Sequence, residues 1–123
     1  MDCIFCRLDR PPFAETKLSL DFFFLDGFPV SNGHTLIIPK RHVLSLWEMS
    51  DDEYTDAFDL VRRVKDILQE KFQPQGFNVG VNCGEAAGQS VFHAHIHIIP
   101  RYNGDVPSPR GGVRNIIPGK GNY

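Results

Sequence analysis

The segment from Val91 to Ile99 alternates between two kinds of side chain, and this alternation constrains the fold more than any other feature. It places three histidines, His93, His95 and His97, at every second position. Because side chains alternate between the two faces of a β-strand, the imidazoles are predicted to share one face, about 6.6–6.8 Å apart. The positions between and before them are predicted to pack into the core: Phe92, Ala94, Ile96 and Ile98.

Three interpretations of this histidine row compete. The first is the polar face of a half-buried strand that happens to carry histidines. The register argues against it, because three of the chain's five histidines alternate strictly here. The second is a catalytic zinc site, since His-x-His on a strand can chelate metal, although the strand offers no carboxylate partner. The third is nucleophilic attack by one imidazole, with a neighbour orienting it and another donating a proton to the leaving group.

The loop before this strand favours phosphate as the target. Gly84 and Gly88 allow backbone N–H groups to turn toward an oxyanion, and the side chains of Gln89 and Ser90 add neutral donors. The alternative is an ordinary surface loop. Directly before three histidines, however, this composition indicates phosphate chemistry, because a neutral imidazole is nucleophilic near pH 7.

Length, charge and cysteine content limit the remaining possibilities. The 123 residues suit one domain, 1–123, in which residues 103–123, rich in Gly, Pro and Arg, form an extended C-terminal arm. A net charge of −2 argues against a nucleic-acid polymer or a membrane as partner. The N-terminus resembles no signal peptide, so a cytoplasmic location with reduced cysteines is expected.

The rest of the chain predicts an antiparallel α+β domain. Strands are expected within 18–25, at 34–38 and at 77–81, each bounded by Gly or Pro. A long helix is expected to begin at Ser50, which has capping-box spacing to Glu53. Trp47 and Met49, just before this helix, are expected to be core or hydrophobic-staple residues rather than ligand contacts.

Gly88–Pro100, together with Asp26–Val30 and Gly33–His42, resembles the histidine triad (HIT) superfamily. The match extends over nearly the whole chain and is closest to small prokaryotic proteins labelled diadenosine polyphosphate hydrolases. The resemblance implies a HIT-like fold, with an antiparallel sheet of about five strands, one long helix and a short one. It also implies a homodimer with a continuous sheet.

By this resemblance, His95 attacks the α-phosphate, while His97 contacts that phosphate and protonates the leaving group. The implied reaction is hydrolysis or transfer on dinucleoside polyphosphates or nucleoside phosphoramidates through a nucleotidyl-histidine, without an organic cofactor. A nucleotide-binding sensor or adaptor with little turnover is the alternative. Positions implied to bind the purine nucleotide, besides His97, are Phe24, Asp26, Gly27, Asn82, Gly88, Gln89 and Ser90.

Cys3 and Cys6 form a C-x₂-C pair, which is half of a zinc site unless the two are incidental thiols. The sequence leaves the other ligands open among His34, His42, the three triad histidines and Cys83. A resemblance to the galactose-1-phosphate uridylyltransferase branch implies His42 and His93, giving a structural Zn²⁺ with four protein ligands. Cys83 is then expected to pack, and His34 to orient a neighbouring histidine by a hydrogen bond.

Arg110 and Arg114 lie in the C-terminal arm, close to several glycines and prolines. Guanidinium groups pair well with phosphate, so the arm is a candidate for closing over a polyphosphate. The alternative is that the arm packs in a dimer or is exposed to solvent.

Overall fold

A computed structural model describes residues 3–7, 12, 14–23 and 29–121, with only the backbone for 20–23. The described residues form four strands, β1 (Ser19–Phe23), β2 (Thr35–Pro39), β3 (Gly76–Gly80) and β4 (Ile96–Arg101), and one α-helix, α1 (Asp51–Phe72). Short 3-10 helices span Leu46–Glu48, Glu85–Ala87 and Gly112–Ile116. No helix in these described ranges is long and apolar enough to cross a bilayer.

The four strands form one sheet in the order β1–β2–β4–β3, and every neighbouring pair is antiparallel. The antiparallel α+β prediction is therefore confirmed. The expectation of about five strands is wrong for the described residues, which contain four. The expected short second helix is not an α-helix in the described residues, which contain α1 and three short 3-10 helices.

Helix α1 begins as the sequence predicts. The Ser50 hydroxyl accepts a hydrogen bond from the Glu53 backbone, and the Glu53 carboxylate accepts one from the Ser50 backbone. Arg41 donates to the same carboxylate at 2.6 and 3.2 Å and lowers the pKa of Glu53. Because Arg41 follows β2 and precedes His42, this pair fixes the turn that carries His42 against the start of the helix.

Helix α1 covers one face of the sheet. Ile96 and Ile98 of β4 and Ile37 of β2 are almost fully buried in the core on this side, as the alternation predicts. On the other face, Leu36 and Ile38 form a second apolar cluster with Phe5. The side chain of His97 belongs to this second face, since its position alternates with the core residues of β4.

The histidine segment is less regular than predicted. Strand β4 starts at Ile96, so His93 and His95 precede it. Continuing the β2–β4 register would place Ala94 opposite Pro39, which has no N–H to donate to a neighbouring strand. The Pro39 carbonyl accepts a hydrogen bond from the His93 ring rather than from a strand backbone. Phe92 is 48% exposed, contrary to prediction, whereas Ala94 is buried in the core.

The described part of the arm, residues 103–121, is partly folded rather than simply extended. Its 3-10 helix, Gly112–Ile116, contacts β3. A Cβ on Gly112 would lie 3.4 Å from the Asn78 amide nitrogen, which places the helix against this strand. The arm therefore lies beside the sheet edge that ends next to the histidines.

Candidate active site and metal site

Four ligand atoms converge where the N-terminal segment meets the loop after β2. Cys3 Sγ lies 3.4 Å from His93 Nδ1, and Cys6 Sγ lies 3.2 Å from His42 Nδ1 and 3.5 Å from His93 Nδ1. The two Nδ1 atoms are 3.2 Å apart. The described residues thus contain a cluster of four side chains that could hold a metal ion.

These distances fit a tetrahedral zinc ion. Zn–N bonds near 2.05 Å and Zn–S bonds near 2.3 Å give tetrahedral edges of about 3.3 Å for N–N and about 3.6 Å for N–S. His93 also has the correct tautomer, because its Nε2–H donates to the Pro39 carbonyl at 2.8 Å and leaves the Nδ1 lone pair facing the thiols. With four protein ligands, such a site would leave no position for a reactive water.

The same residue, His93, also orients the next histidine. Its carbonyl accepts a hydrogen bond of 2.8 Å from His95 Nδ1. The proton of a neutral His95 is thereby held on Nδ1, and Nε2 retains its lone pair. His95 consequently has the tautomer that a nucleophile attacking through Nε2 requires.

His97 has the opposite tautomer, set by a chain of two hydrogen bonds. The Val30 backbone N–H donates to His34 Nδ1 at 3.1 Å. His34 must then carry its proton on Nε2, which lies 3.0 Å from His97 Nδ1 and donates to it. His97 is left with its proton on Nε2, so it can act as a donor beside the lone pair of His95.

Burial keeps these histidines neutral. Burial, followed by repulsion from His95 and His34, lowers the pKa of His97 from 6.5 to about 4. Burial also lowers the pKa of His95. The pKa of His34 is lowered by burial and by repulsion from His95. The ring centroids of His95 and His97 lie 5.0 Å apart. The pair therefore presents one lone pair and one N–H from neighbouring neutral rings.

A cavity of about 380 Å³ lies beside His97 and His34. Asn82 lines it, as do residues of β3 and, from the arm, Val113 and Ile116. The sequence-predicted Asn82 is therefore brought to the same cavity as His97. Arg110 and Arg114 are exposed, and Arg114 donates to the Lys120 carbonyl at 3.3 Å.

The loop before the histidines is shaped by Gln89, whose side chain is buried. Its Oε1 accepts from the Gly84 N–H, and its Nε2 donates to the carbonyls of Leu44 and Val91. Gln89 therefore uses its amide to hold the loop. Gly88 has φ 93°, which glycine adopts without strain, and Ser90 is exposed.

Three predicted nucleotide-binding residues, Phe24, Asp26 and Gly27, lie outside the described residues. Two described groups were missed by the sequence reasoning. Val30 contributes only its backbone N–H, which no side-chain pattern reveals. Phe5 contacts the His95 ring, and its position between Cys3 and Cys6 was a signal available in the sequence.

The chain is similar to known proteins of one family. The family model for the HIT domain matches residues 13–104. The adenosine 5'-monophosphoramidase of Schizosaccharomyces pombe is 44% identical over 108 residues, covering 84% of this chain and 77% of the relative. The asymmetrical bis(5'-nucleosyl)-tetraphosphatase of the same organism is 42% identical over 93 residues. That alignment covers 76% of this chain and 50% of the relative.

Among solved structures, a Zn-bound histidine triad family protein from Mycobacterium smegmatis matches with a TM-score of 0.76 and 35% identity. The alignment covers 88% of this chain and 81% of that protein. The relatives and the solved structure agree with the family model, whose match includes all three triad histidines. This chain belongs to the HIT family.

Proposed function

We propose that this protein is a nucleotidyl hydrolase or transferase in which His95 attacks the α-phosphate of a nucleotide. The observation that carries the proposal is the pair of opposite tautomers on His95 and His97. A phosphoryl-transfer site of this kind needs a lone pair aimed at phosphorus and a donor aimed at the departing group. The cavity beside His97 gives a substrate access to the donor.

In the first step, His95 Nε2 forms a bond to the α-phosphorus while the bond to the leaving group breaks. A polyphosphate leaving group departs as an anion and needs only the hydrogen bond from His97 Nε2–H. In the second step, water attacks the same phosphorus, the P–N bond breaks, and the nucleoside monophosphate leaves with His95 neutral again. The proton released by water passes to solvent.

An amine leaving group needs a proton, which His97 supplies in its cationic form. The bound phosphate anion favours this form, because an opposite charge nearby raises the pKa of an imidazole. Protonation of His97 Nδ1 would place its N–H opposite the N–H of His34 Nε2. His34 could accept that proton only by changing tautomer, which would lose the hydrogen bond from the Val30 N–H. A polyphosphate can therefore react with His97 in its neutral form. A phosphoramidate needs cationic His97, which its own bound phosphate favours.

The two named relatives support these substrate classes: one is called a monophosphoramidase and the other a nucleosyl tetraphosphatase. Asn82, Gly88 and Ser90, with Phe24, Asp26 and Gly27, are proposed to hold the nucleotide. Gln89, also expected to bind it, has its amide engaged with Gly84, Leu44 and Val91 and instead shapes the loop. The base is proposed to be a purine. Arg110 and Arg114 stay candidates for contacts with a polyphosphate.

We also propose a structural Zn²⁺ on Cys3, Cys6, His42 and His93. The convergence of their ligand atoms and the Zn-bound relative support this assignment. Zinc would cross-link the N-terminal segment to the histidine segment and would take no part in the reaction. The chemistry is assigned to the side chains of His95 and His97.

A homodimer of single-domain chains, 1–123, is proposed as the working form. Strand β3 is at the edge of the described sheet; the arm contacts it near Asn78, whereas Val79 is 42% exposed. An edge strand can pair with a second copy and continue the sheet. Light scattering coupled to size exclusion tests this assignment: a dimeric mass supports it, and a monomer at micromolar concentration contradicts it.

The experiment for the activity compares AMP release from diadenosine tetraphosphate and from an adenosine phosphoramidate. The variant His95→Asn keeps an N–H that can reach the His93 carbonyl but has no nucleophilic nitrogen. Wild type is expected to release AMP from at least one substrate, and the variant to lose about a thousandfold or more. Equal rates would contradict the mechanism, and AMP binding without turnover in wild type would indicate the sensor alternative.

A further inference from the structure

Phe5 joins the cysteine pair to the nucleophile. It lies between Cys3 and Cys6 in the sequence and is 8% exposed. Its ring packs on Leu36 and Ile38, on the face of β2 opposite the helix. The N-terminal turn therefore brings both a pair of metal-ligand candidates and an apolar ring to the histidine face of the sheet.

The Phe5 ring contacts the His95 ring edge-on. Their centroids lie 5.0 Å apart with an interplanar angle of 83°, a favourable arrangement for two aromatic rings. His95 is otherwise held by its Nδ1 hydrogen bond to the His93 carbonyl and by contact with the His97 ring. A single hydrogen bond defines one nitrogen of an imidazole but still permits the ring plane to rock. Phe5 supplies a wall that limits this motion.

The position of Phe5 depends in turn on the cysteines beside it. Besides its own buried ring, the contacts that join residues 3–6 to the histidines are the thiol–imidazole contacts of Cys3 and Cys6. A thiol is a weak hydrogen-bonding group, so these contacts alone hold the turn loosely. Bonds from both thiolates to one metal ion would fix the turn rigidly, and the Phe5 ring with it.

We propose that Phe5 is a positioning residue that transmits metal occupancy to the nucleophile: a metal ion on Cys3 and Cys6 holds the ring that holds His95. This inference rests on the proposed function and on the proposed zinc site. Metal loss should thus disorder His95 through two routes, the His93 backbone and the Phe5 ring. Substitution of Phe5 removes the second route and keeps all four ligand side chains. Because the Phe5 ring also contacts the His93 ring, with centroids 6.0 Å apart, zinc content must be measured for each variant.

The test uses the zinc-loaded full-length chain with Phe5→Ala, Phe5→Leu and Phe5→Tyr. Ile4→Ala is the matched control, because Ile4 lies in the same turn but is 52% exposed. Four quantities are measured: zinc per chain, the dissociation constant for AMP, kcat and KM for an adenosine phosphoramidate, and the ¹⁵N chemical shifts of the His95 ring. The last reports directly where the ring carries its proton.

Phe5→Ala is expected to keep its zinc and bind AMP within about threefold of wild type, while kcat falls on the order of tenfold. Its His95 ¹⁵N shifts should move toward averaged tautomers, as should those of zinc-free wild type. Phe5→Leu should show a smaller change, Phe5→Tyr, which keeps the aromatic ring, the smallest of the three, and Ile4→Ala should match wild type. A spectroscopic change without measurable turnover in wild type would refute the proposed function and leave the positioning role standing.

Unchanged His95 shifts and kcat in zinc-loaded Phe5→Ala would overturn the proposal. Loss of zinc from both Phe5→Ala and Phe5→Leu would also overturn it, since Phe5 would then serve only to build the metal site. Zinc-free wild type with unaltered His95 shifts would refute the coupling between metal and nucleophile. If kcat falls equally in Phe5→Ala and Ile4→Ala, the positioning role of Phe5 is refuted.

Discussion

His34 Nε2 lies 3.0 Å from His97 Nδ1, and the backbone N–H of Val30 reaches the other ring nitrogen of His34 at 3.1 Å. In the hydrogen bond between Val30 and His34, the backbone N–H is the donor and the ring nitrogen must accept. This hydrogen bond therefore fixes the proton positions on both rings in their neutral forms. The proton position on His97 is thus determined by the Val30 backbone N–H, which acts on it through His34.

Loss of His34 is expected to slow turnover more than it weakens nucleotide binding. In His34→Ala, His97 loses the donor at its Nδ1 and is free to adopt either tautomer and to rotate. The kcat should fall by up to about 100-fold, as expected when a reacting group is misplaced. His34→Gln, whose amide N–H can replace the lost donor, should retain more activity. Steady-state kinetics on an adenosine phosphoramidate measure both, and equal kcat in wild type and His34→Ala would refute the relay.

The low pKa of His97 predicts a specific pH dependence of stability. The folded-state pKa of about 4 lies below the value of about 6.5 for an unfolded chain. Between these values the unfolded chain binds the proton and the folded chain does not. Stability is therefore complete above the unfolded pKa and declines as the pH falls toward the folded one.

His97→Gln removes this contribution and leaves the other histidines in place. Thermal unfolding of both proteins between about pH 4.5 and pH 7.5 should show a steeper loss of Tm on acidification for wild type. Parallel curves would mean that His97 titrates near its ordinary pKa in the folded protein.

Zinc content should depend on the cysteine pair and not on the third cysteine. The double variant Cys3→Ser, Cys6→Ser is expected to lose its zinc and to unfold on the order of 10 °C lower, since a ligand bound only to the native state stabilises it. Cys83→Ser, which alters a half-buried cysteine outside the cluster, is the control. Metal analysis and calorimetry measure the two effects. One zinc per chain in the double variant would instead favour metal at another site, such as the triad.

Gln89 is expected to contribute to stability as well as to the shape of the loop. Gln89→Ala removes the partners of the Gly84 N–H and the Leu44 carbonyl and should cost about 1–3 kcal/mol of unfolding free energy. KM should rise because the loop no longer holds Gly88 and Ser90 in place. Glu85→Ala, an exposed change in the same loop, should alter neither quantity. Denaturant unfolding with unchanged free energy for Gln89→Ala would contradict this role.

Features set by local chemistry could be predicted from the sequence. The capping box of Ser50 and Glu53 depends on residues three apart, and the burial of Ala94, Ile96 and Ile98 follows from strand alternation. The expected hydrogen bond of His34 to a neighbouring histidine is likewise present. The choice of His42 and His93 beside the two cysteines came from family resemblance, and the converging ligand atoms support it.

Features that depend on distant partners could not be predicted. The start of β4 is set by Pro39, which lies 54 positions from the histidine that uses its carbonyl. Trp47 is 73% exposed although its type and position favoured the core or a hydrophobic staple, whereas Met49 is buried as expected. Gln89 could be taken for a phosphate donor because its three backbone partners are visible only in the fold.

A nucleotide bound covalently to His95 distinguishes attack by this histidine from direct attack by water. Wild type and His95→Asn are mixed with an adenosine phosphoramidate, quenched within milliseconds in alkali, which preserves phosphohistidine, and analysed by peptide mass spectrometry. One adenylyl group is expected on His95 of wild type and none on the variant. Turnover in wild type without this adduct, or an adduct that persists in His95→Asn, would contradict attack by His95.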